Sequence, residues 1–276
     1  MSGHALWIGI ACPAACLLLS VVAAAQESAA PAAEKAAHRA RMQELATSFR
    51  VLGAGGKPES KVELVVEPVL RYADSTRQTL ESALWIFGGQ GRPTAILAIE
   101  FYPNRRAGPT WLYEIASLST ERIAAERGET IEWMAKQPGL VLKPLADAPP
   151  PATRPAQRLA QMKTLRARFT AYEHAVIEGR VELRPLASPL YRYSDSERGI
   201  TDGAVFSFAN GTNPEVLLVL EAHEAGGNTG WQFGIVQLTG GAIVVQQDGK
   251  DIFERGEADP PAVRDSYVNG WIPAKD

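Results

Sequence analysis

Apolar residues along this chain change their period at regular places, and the whole pattern occurs twice. Met42, Leu45 and Phe49 fall at i, i+3 and i+7, one face of a helix, with Gly53 as its stop. Val62, Leu64, Val66, Leu70 and Tyr72 then alternate with Glu63, Glu67 and Arg71, as a half-buried strand does. Ala83 to Phe87 and Thr94 to Tyr102 are continuous apolar runs split by Gly88-Gly89-Gln90-Gly91-Arg92-Pro93, a hairpin by composition. Trp111, Tyr113 and Ile115 alternate again, and Gly128 marks a closing turn before Ile131.

The second pass is offset by 120 or 121 residues. Pro155 opens a helix whose stripe is Leu159, Met162, Leu165 and Phe169; Trp231, Phe233 and Ile235 repeat the alternating aromatic strand. Asp248-Gly249 is a two-residue turn that needs positive φ, and Ile252 answers Ile131. Residues 68–100 and 189–221 agree at eleven of 33 positions without a gap. Chance gives about two at ordinary residue usage, so the halves read as copies of one ancestor.

Short connections between successive strands require antiparallel pairing. The predicted fold class is α+β: two tandem repeats, 36–145 and 156–276, each one helix followed by an antiparallel meander of about six strands, packed as a pseudo-dimer. The proline-rich stretch 146–155 reads as an extended linker, and Leu140 to Pro144 as one more edge strand before it.

The N-terminus changes this picture. Ala5 to Ala25 is uncharged and apolar and ends in Ala23-Ala24-Ala25, the pattern of a signal peptide cleaved after residue 25. No Lys or Arg precedes the apolar core, so an uncleaved membrane anchor is the competing expectation. Residues 26–35 are rich in Ala, Glu and Pro and read as a disordered mature N-terminus. Both cysteines, Cys12 and Cys16, lie in the leader, so the mature chain is expected to be disulfide-free and without a thiol nucleophile. A net charge of −3 with no basic run gives no reason to expect nucleic acid as a partner. No partner is identified; a cell-envelope component or polysaccharide fits an exported chain, and no membrane contact is expected after leader cleavage.

The candidate polar site is the repeated block Arg71-Tyr72-x-Asp74-Ser75-x-Arg77 and Arg192-Tyr193-x-Asp195-Ser196-x-Arg198, with Glu100 and Glu221 at matching distances downstream. In a functional reading the arginines clamp a carboxylate or sulfate, and tyrosine and aspartate orient a hydroxyl-bearing ligand. In a structural reading each aspartate bonds its own turn, and Arg71 and Glu100 pair across strands. The structural reading is preferred, because both copies must keep the fold whereas two copies rarely both keep catalytic groups. The alternating aromatics are likewise assigned to the core rather than to sugar stacking.

Where the copies differ, Tyr102-Pro-Asn-Arg105-Arg106 stands against His223-Glu224-Ala-Gly-Gly-Asn228. One histidine with Glu221 and Glu224 lacks the further ligands of a metal site, so no metal and no cofactor are assigned. His38 and His174 read as exposed helix residues, and Asn210-Gly211-Thr212 matches a glycosylation acceptor in pattern but reads as a turn. There is no G-x-S-x-G elbow, no phosphate-binding P-loop and no G-x-G-x-x-G.

The repeated R-Y-x-D-x-x-R block, the aromatic strand, the Gly/Pro hairpin and the apolar strand ending in Glu together resemble uncharacterised exported bacterial proteins with an internal tandem duplication. That resemblance covers most of the mature chain and implies no activity. The expected function is a non-catalytic binding or structural module of the cell envelope. The alternative is a hydrolase of an extracytoplasmic polymer with Asp74, Asp195, Glu100 or Glu221 as acid and base.

Overall fold

The computed structural model describes residues 32–53, 60–75, 77–175, 179–225, 228–256 and 265–274; the leader, both cysteines and residues 26–31 lie outside them. Strands take up 53% and helix 14%, in several antiparallel sheets and a half-barrel. This overturns the α+β expectation of a helix followed by a meander in each repeat. The first half runs α1 (Ala32–Ser48), β1 (Phe49–Leu52), β2 (Lys61–Val62), β3 (Leu70–Asp74), β4 (Thr79–Phe87), β5 (Ala95–Tyr102), β6 (Thr110–Ser117), β7 (Ala124–Arg127) and β8 (Thr130–Met134). A short β9 (Lys143–Pro144) follows. The second half runs α2 (Pro155–Arg166), β10 (Phe169–Ala175), β11 (Gly179–Pro185), β12 (Tyr191–Asp195), β13 (Ile200–Asn210), β14 (Asn213–Ala225), β15 (Asn228–Gln237), β16 (Ala242–Gln247) and β17 (Lys250–Arg255). The last strand is β18 (Tyr267–Pro273).

Two physical reasons explain the correction. Phe49 and Phe169 end a helical stripe but also begin a period-2 alternation, and the strand wins. In β1, Phe49 and Val51 are buried and Arg50 is exposed, so the helix stops at Ser48 rather than Gly53. These extra strands then rearrange the meander. β1 inserts between β2 and β7, and β10 between β11 and β16, so pairing does not follow chain order. Helix α1 also begins at Ala32, within the stretch read as disordered.

The first half forms two sheets, β2-β1-β7-β8 and β18-β6-β5-β4-β3. In the second half the corresponding strands merge into one sheet, because β11 pairs with β10 at one end and with β13 at the other. The Asp248-Gly249 turn has positive φ at both residues, 50° and 77°, as a two-residue hairpin requires.

Three apolar cores result. One lies under α1 and includes Trp85, Phe87, Trp111 and Tyr113; a second lies under α2 and includes Phe206, Phe208, Trp231 and Phe233. The third lies between the halves, with Leu84, Ile86, Ile96 and Ala98 facing Val205, Leu217, Val219 and Val236. Strand β4 therefore sends Trp85 to one core and Leu84 to another, and burial on both faces accounts for its unbroken apolar run.

Each half is closed by a strand from outside its own run. β18, after the second half, lies on β6 of the first half over seven register pairs, from Tyr267–Ala116 to Pro273–Thr110. β9, after the first half, lies on β15 of the second, pairing Lys143 with Phe233 and Pro144 with Gln232. The 146–155 stretch is docked: Trp231 Nε1 donates to the Pro149 carbonyl at 3.0 Å, and Arg158 donates to the carbonyls of Ala152 and Thr153.

Candidate functional site

The repeated polar block ends β3 and β12, on the side where the halves meet. Each aspartate closes its own turn, bonding the backbone three residues on: Asp74 Oδ1 accepts from Arg77 N–H at 3.2 Å and Asp195 Oδ1 from Arg198 N–H at 3.1 Å. The second oxygen of each reaches the other half. Asp195 Oδ2 accepts from Arg92 N–H in the β4–β5 hairpin, and Asp74 Oδ2 from Thr212 N–H in the β13–β14 hairpin. Gly91 (φ +71°) and Gly211 (φ +59°) lie so close to these carboxylates that a Cβ at either position would overlap Asp195 or Asp74.

Further contacts fasten the same junction. Thr212 Oγ1 donates to the Ala73 carbonyl at 2.6 Å, and the Tyr191 hydroxyl to the Gly89 carbonyl at 2.8 Å. Asn210-Gly211-Thr212 forms the turn that its composition suggests, between β13 and β14; Thr212 crosses to the first half, while Asn210 Nδ2 donates to Glu173, which Arg77 of the first half also meets.

Glu100 and Glu221 are fully buried and held by equivalent partners. Tyr72 and Tyr102 donate to the two oxygens of Glu100 at 2.6 and 2.7 Å. Tyr193 donates to Glu221 Oε1 at 2.6 Å, and His223 Nε2 lies 2.7 Å from Oε2. Glu221 has one partner more, Arg92 of the other half, which donates from Nε at 2.6 Å and Nη2 at 2.7 Å. The position equivalent to Arg92 is Asn213, whose amide donates to Glu215.

This difference sets the charge of the two sites. Burial pushes the Glu100 carboxyl above its ordinary value, against the hydrogen bonds from Tyr72 and Tyr102. Burial works the same way on Glu221, but hydrogen bonds from His223, Arg92 and Tyr193 overcome it and hold the carboxyl down to about 2. Burial also raises Glu114, helped by the charges of Glu100 and Glu215, and Tyr267 donates to Glu114. Glu215 is pushed up to about 8 by burial, even with Arg77 Nη2 2.6 Å from Oε1, because Glu173 and Glu100 add negative charge nearby.

The anticipated Arg71–Glu100 pair does not form. Arg71 is exposed, with no hydrogen bond or ion pair among the described residues, and Tyr72 takes Glu100 instead. A strand sends neighbouring side chains to opposite faces, so Arg71 and Tyr72 cannot both turn inward. Arg192 sits on the same outer face but finds buried Asp202, with Nε at 2.8 Å and Nη2 at 2.6 Å. Arg77 crosses to Glu215 and Glu173, whereas Arg198 stays on its own Asp195 at 2.5 Å. Burial opposes ionisation of Asp195, and the Arg198 bonds overcome that, holding its carboxyl below the ordinary aspartate value.

Arg92, Glu114, Glu173 and Glu215 were not anticipated. Arg92 lay in a Gly/Pro hairpin that reads as a solvent turn, and Glu215 in an apolar run. The only signal is a charged residue where the other copy has Asn213 or Thr94. His38 and His174 each meet half of the expectation: His38 lies on α1 but is half-buried, and His174 is exposed but on a strand. His38 packs its ring 4.3 Å from Phe101, and His174 lies on β10.

Three cavities border other residues. One of about 550 Å³ lies beside Phe233, one of about 350 Å³ beside Arg92 and Arg198, and one of about 280 Å³ beside Gln161. Neither Glu100, Glu114, Glu215 nor Glu221 lines any of them. Among the described residues no three His, Cys, Asp or Glu side chains converge to hold a metal ion, and no helix is long and apolar enough to cross a membrane. The chain matches no known protein family, no curated protein and no solved structure.

Proposed function

We propose that this is an exported, non-catalytic binding module of the cell envelope, in which the repeated polar block locks two halves together and the outer sheet edges meet the partner. One observation carries the reading: the buried carboxylates at the junction are saturated by tyrosine, arginine and histidine partners and border none of the three cavities. General acid–base work needs a carboxyl within hydrogen-bond reach of a reacting atom. Raised carboxyl values do mark many active sites, and that favours the hydrolase alternative; here burial accounts for the raised values of Glu100, Glu114 and Glu215, and the 350 Å³ cavity meets Arg92 and Arg198, partners of Glu221 and Asp195, rather than the carboxylates themselves.

The test is incubation of the purified protein with cell-wall and polysaccharide fragments, following both retention and product release. Retention without products supports the module. Turnover that disappears in a folded Glu100→Gln or Glu221→Gln variant overturns it. Export rests on the leader, and N-terminal sequencing of the secreted form should begin at Gln26; a form retaining residues 1–25 in membranes would establish the anchor instead.

A further inference from the structure

The two halves differ in how far their outermost strand is covered. β18 lies on β6 over seven register pairs, whereas β9 lies on β15 over two. The Trp231 carbonyl accepts from Leu145 N–H on this outer side, and Leu238 N–H bonds the Glu215 carbonyl on the inner side. Odd-numbered residues of β15 therefore turn their main-chain groups outward. Beyond Phe233 these are Ile235 and Gln237, and neither has a backbone partner on that side among the described residues. Their counterparts in the first half are taken: Ile115 stands opposite Val268, and Ser117 N–H bonds the Ser266 carbonyl at 3.0 Å.

This stretch of β15, which has Leu140 and Val141 packed against Gly234 but no backbone partner at Ile235 and Gln237 among the described residues, forms one side of the 550 Å³ groove. Phe233, Ile235, Ile252 and Phe253 supply its apolar surface, and Val141, 64% exposed, stands above it. Most polar side chains in the groove are already committed. Gln237 Nε2 donates to the carbonyls of Thr239 and Gly241 at 2.7 and 2.9 Å, and Gln137 donates to Asp265. Lys143 and Arg255 remain, both exposed and without an acidic partner among the described residues.

We propose that this groove takes an extended, acidic peptide segment of a partner protein, which adds antiparallel to β15 at Ile235 and Gln237 as β18 adds to β6. The inference rests on the binding-module reading and names the partner's chemistry. Alternating N–H and C=O groups along an edge are satisfied by another strand, whereas an alkyl chain would bury them unpaired. A strand in this slot points alternate side chains toward Ile252 and Phe253, which suits apolar residues. Lys143 and Arg255 at the rim select acidic neighbours.

The test uses the purified protein and fluorescently labelled acetyl-Glu-Val-Glu-Val-Glu-Val-amide, with binding read by anisotropy. The Lys-Val counterpart should bind at least about tenfold more weakly, and the Lys143→Glu/Arg255→Glu variant should reverse that preference. Both substituted residues are exposed, and unchanged circular dichroism would show that the variant is folded. N-methylation of alternate valines should remove binding. Absence of binding by the acidic peptide, equal binding by the N-methylated peptide, or displacement by sodium laurate would each overturn strand addition. Cleavage of the peptide, followed by mass spectrometry, would instead overturn the non-catalytic reading and leave the groove standing.

Discussion

Arg92 of the first half grips Glu221 of the second with two parallel hydrogen bonds, Nε–Oε1 at 2.6 Å and Nη2–Oε2 at 2.7 Å, and both side chains are almost wholly buried. Removing one partner of such a pair leaves a charge stranded in the interior, which costs about 3–5 kcal/mol. Arg92→Met should therefore lower stability by about that amount in urea denaturation. Arg92→Lys should recover little, since an ammonium cannot reproduce the two-point fork. The double variant Arg92→Met/Glu221→Gln should be more stable than Arg92→Met alone. Additive losses in the double variant would show that the pair is not energetically coupled.

The two arginines that open the repeated block part company in the same kind of experiment. Arg192 bonds Asp202, which is also held by Arg158 Nε at 2.9 Å. Arg192→Ala should cost toward the lower end of about 1–3 kcal/mol, because Arg158 still pairs the carboxylate. Arg71 is exposed and unpaired among the described residues, so Arg71→Ala should stay within about 0.5 kcal/mol. Equal melting-temperature losses in both variants would mean that Arg71 has a role the fold does not show.

How much of this could be read from the chain follows from what each residue advertises. The turn aspartates and the buried aromatic alternation at Trp111 and Trp231 were legible, because turn chemistry and period-2 patterning are local. Strands β1 and β10 were not, since Phe49 and Phe169 satisfy both a helical and a strand period. The merging of sheets through β11 depends on pairing between residues distant in sequence, such as Pro185 with Phe208, and no local pattern encodes it. The Tyr72–Glu100 and Tyr193–Glu221 contacts link residues that the repeat singles out, but the repeat does not say which of two neighbours, Arg71 or Tyr72, turns inward. Arg92 and Glu215 escaped because a lone charge in a hairpin or an apolar run identifies no partner until the other half is placed against it.

Stability should depend on pH in two opposite limbs. Glu221 is held down to about 2 against an ordinary 4.5, so its stabilising contribution is present above 4.5 and lost as pH falls toward 2. Glu215 is pushed up to about 8, so the folded state favours its protonated form, and stability falls as pH rises from 4.5 through 8. Glu100 and Glu114, also raised, act in the second direction. Melting temperature should thus peak at about pH 5. Glu215→Gln should flatten the alkaline limb and leave the acid limb, and Glu221→Gln should do the reverse. A profile unchanged by Glu215→Gln would show that this carboxyl does not titrate between the two states.

The exchange of closing strands makes each half depend on the other. β18 supplies the outer partner for β6, seals it with the Tyr267–Glu114 hydrogen bond, and places Trp271 against Tyr102 at 5.3 Å with the Arg105 guanidinium 3.6 Å from its ring. A chain ending at Gly256 loses all of this while keeping both helices and both halves. Its β6 edge would then carry unpaired N–H and C=O groups flanked by apolar side chains, the arrangement that recruits strands from other molecules. The truncated chain should elute as aggregates in size-exclusion chromatography, and a peptide spanning residues 265–274 added in trans should restore the monomer. An isolated 32–145 fragment should fare worse, because it also uncovers Leu84, Ile86 and Ile96 from the core between the halves and separates Glu100 and Glu114 from Arg77's partner Glu215. A cooperative, monomeric melt from that fragment would mean that each half carries its own complete fold, and that the strand exchange only tethers two independent bodies.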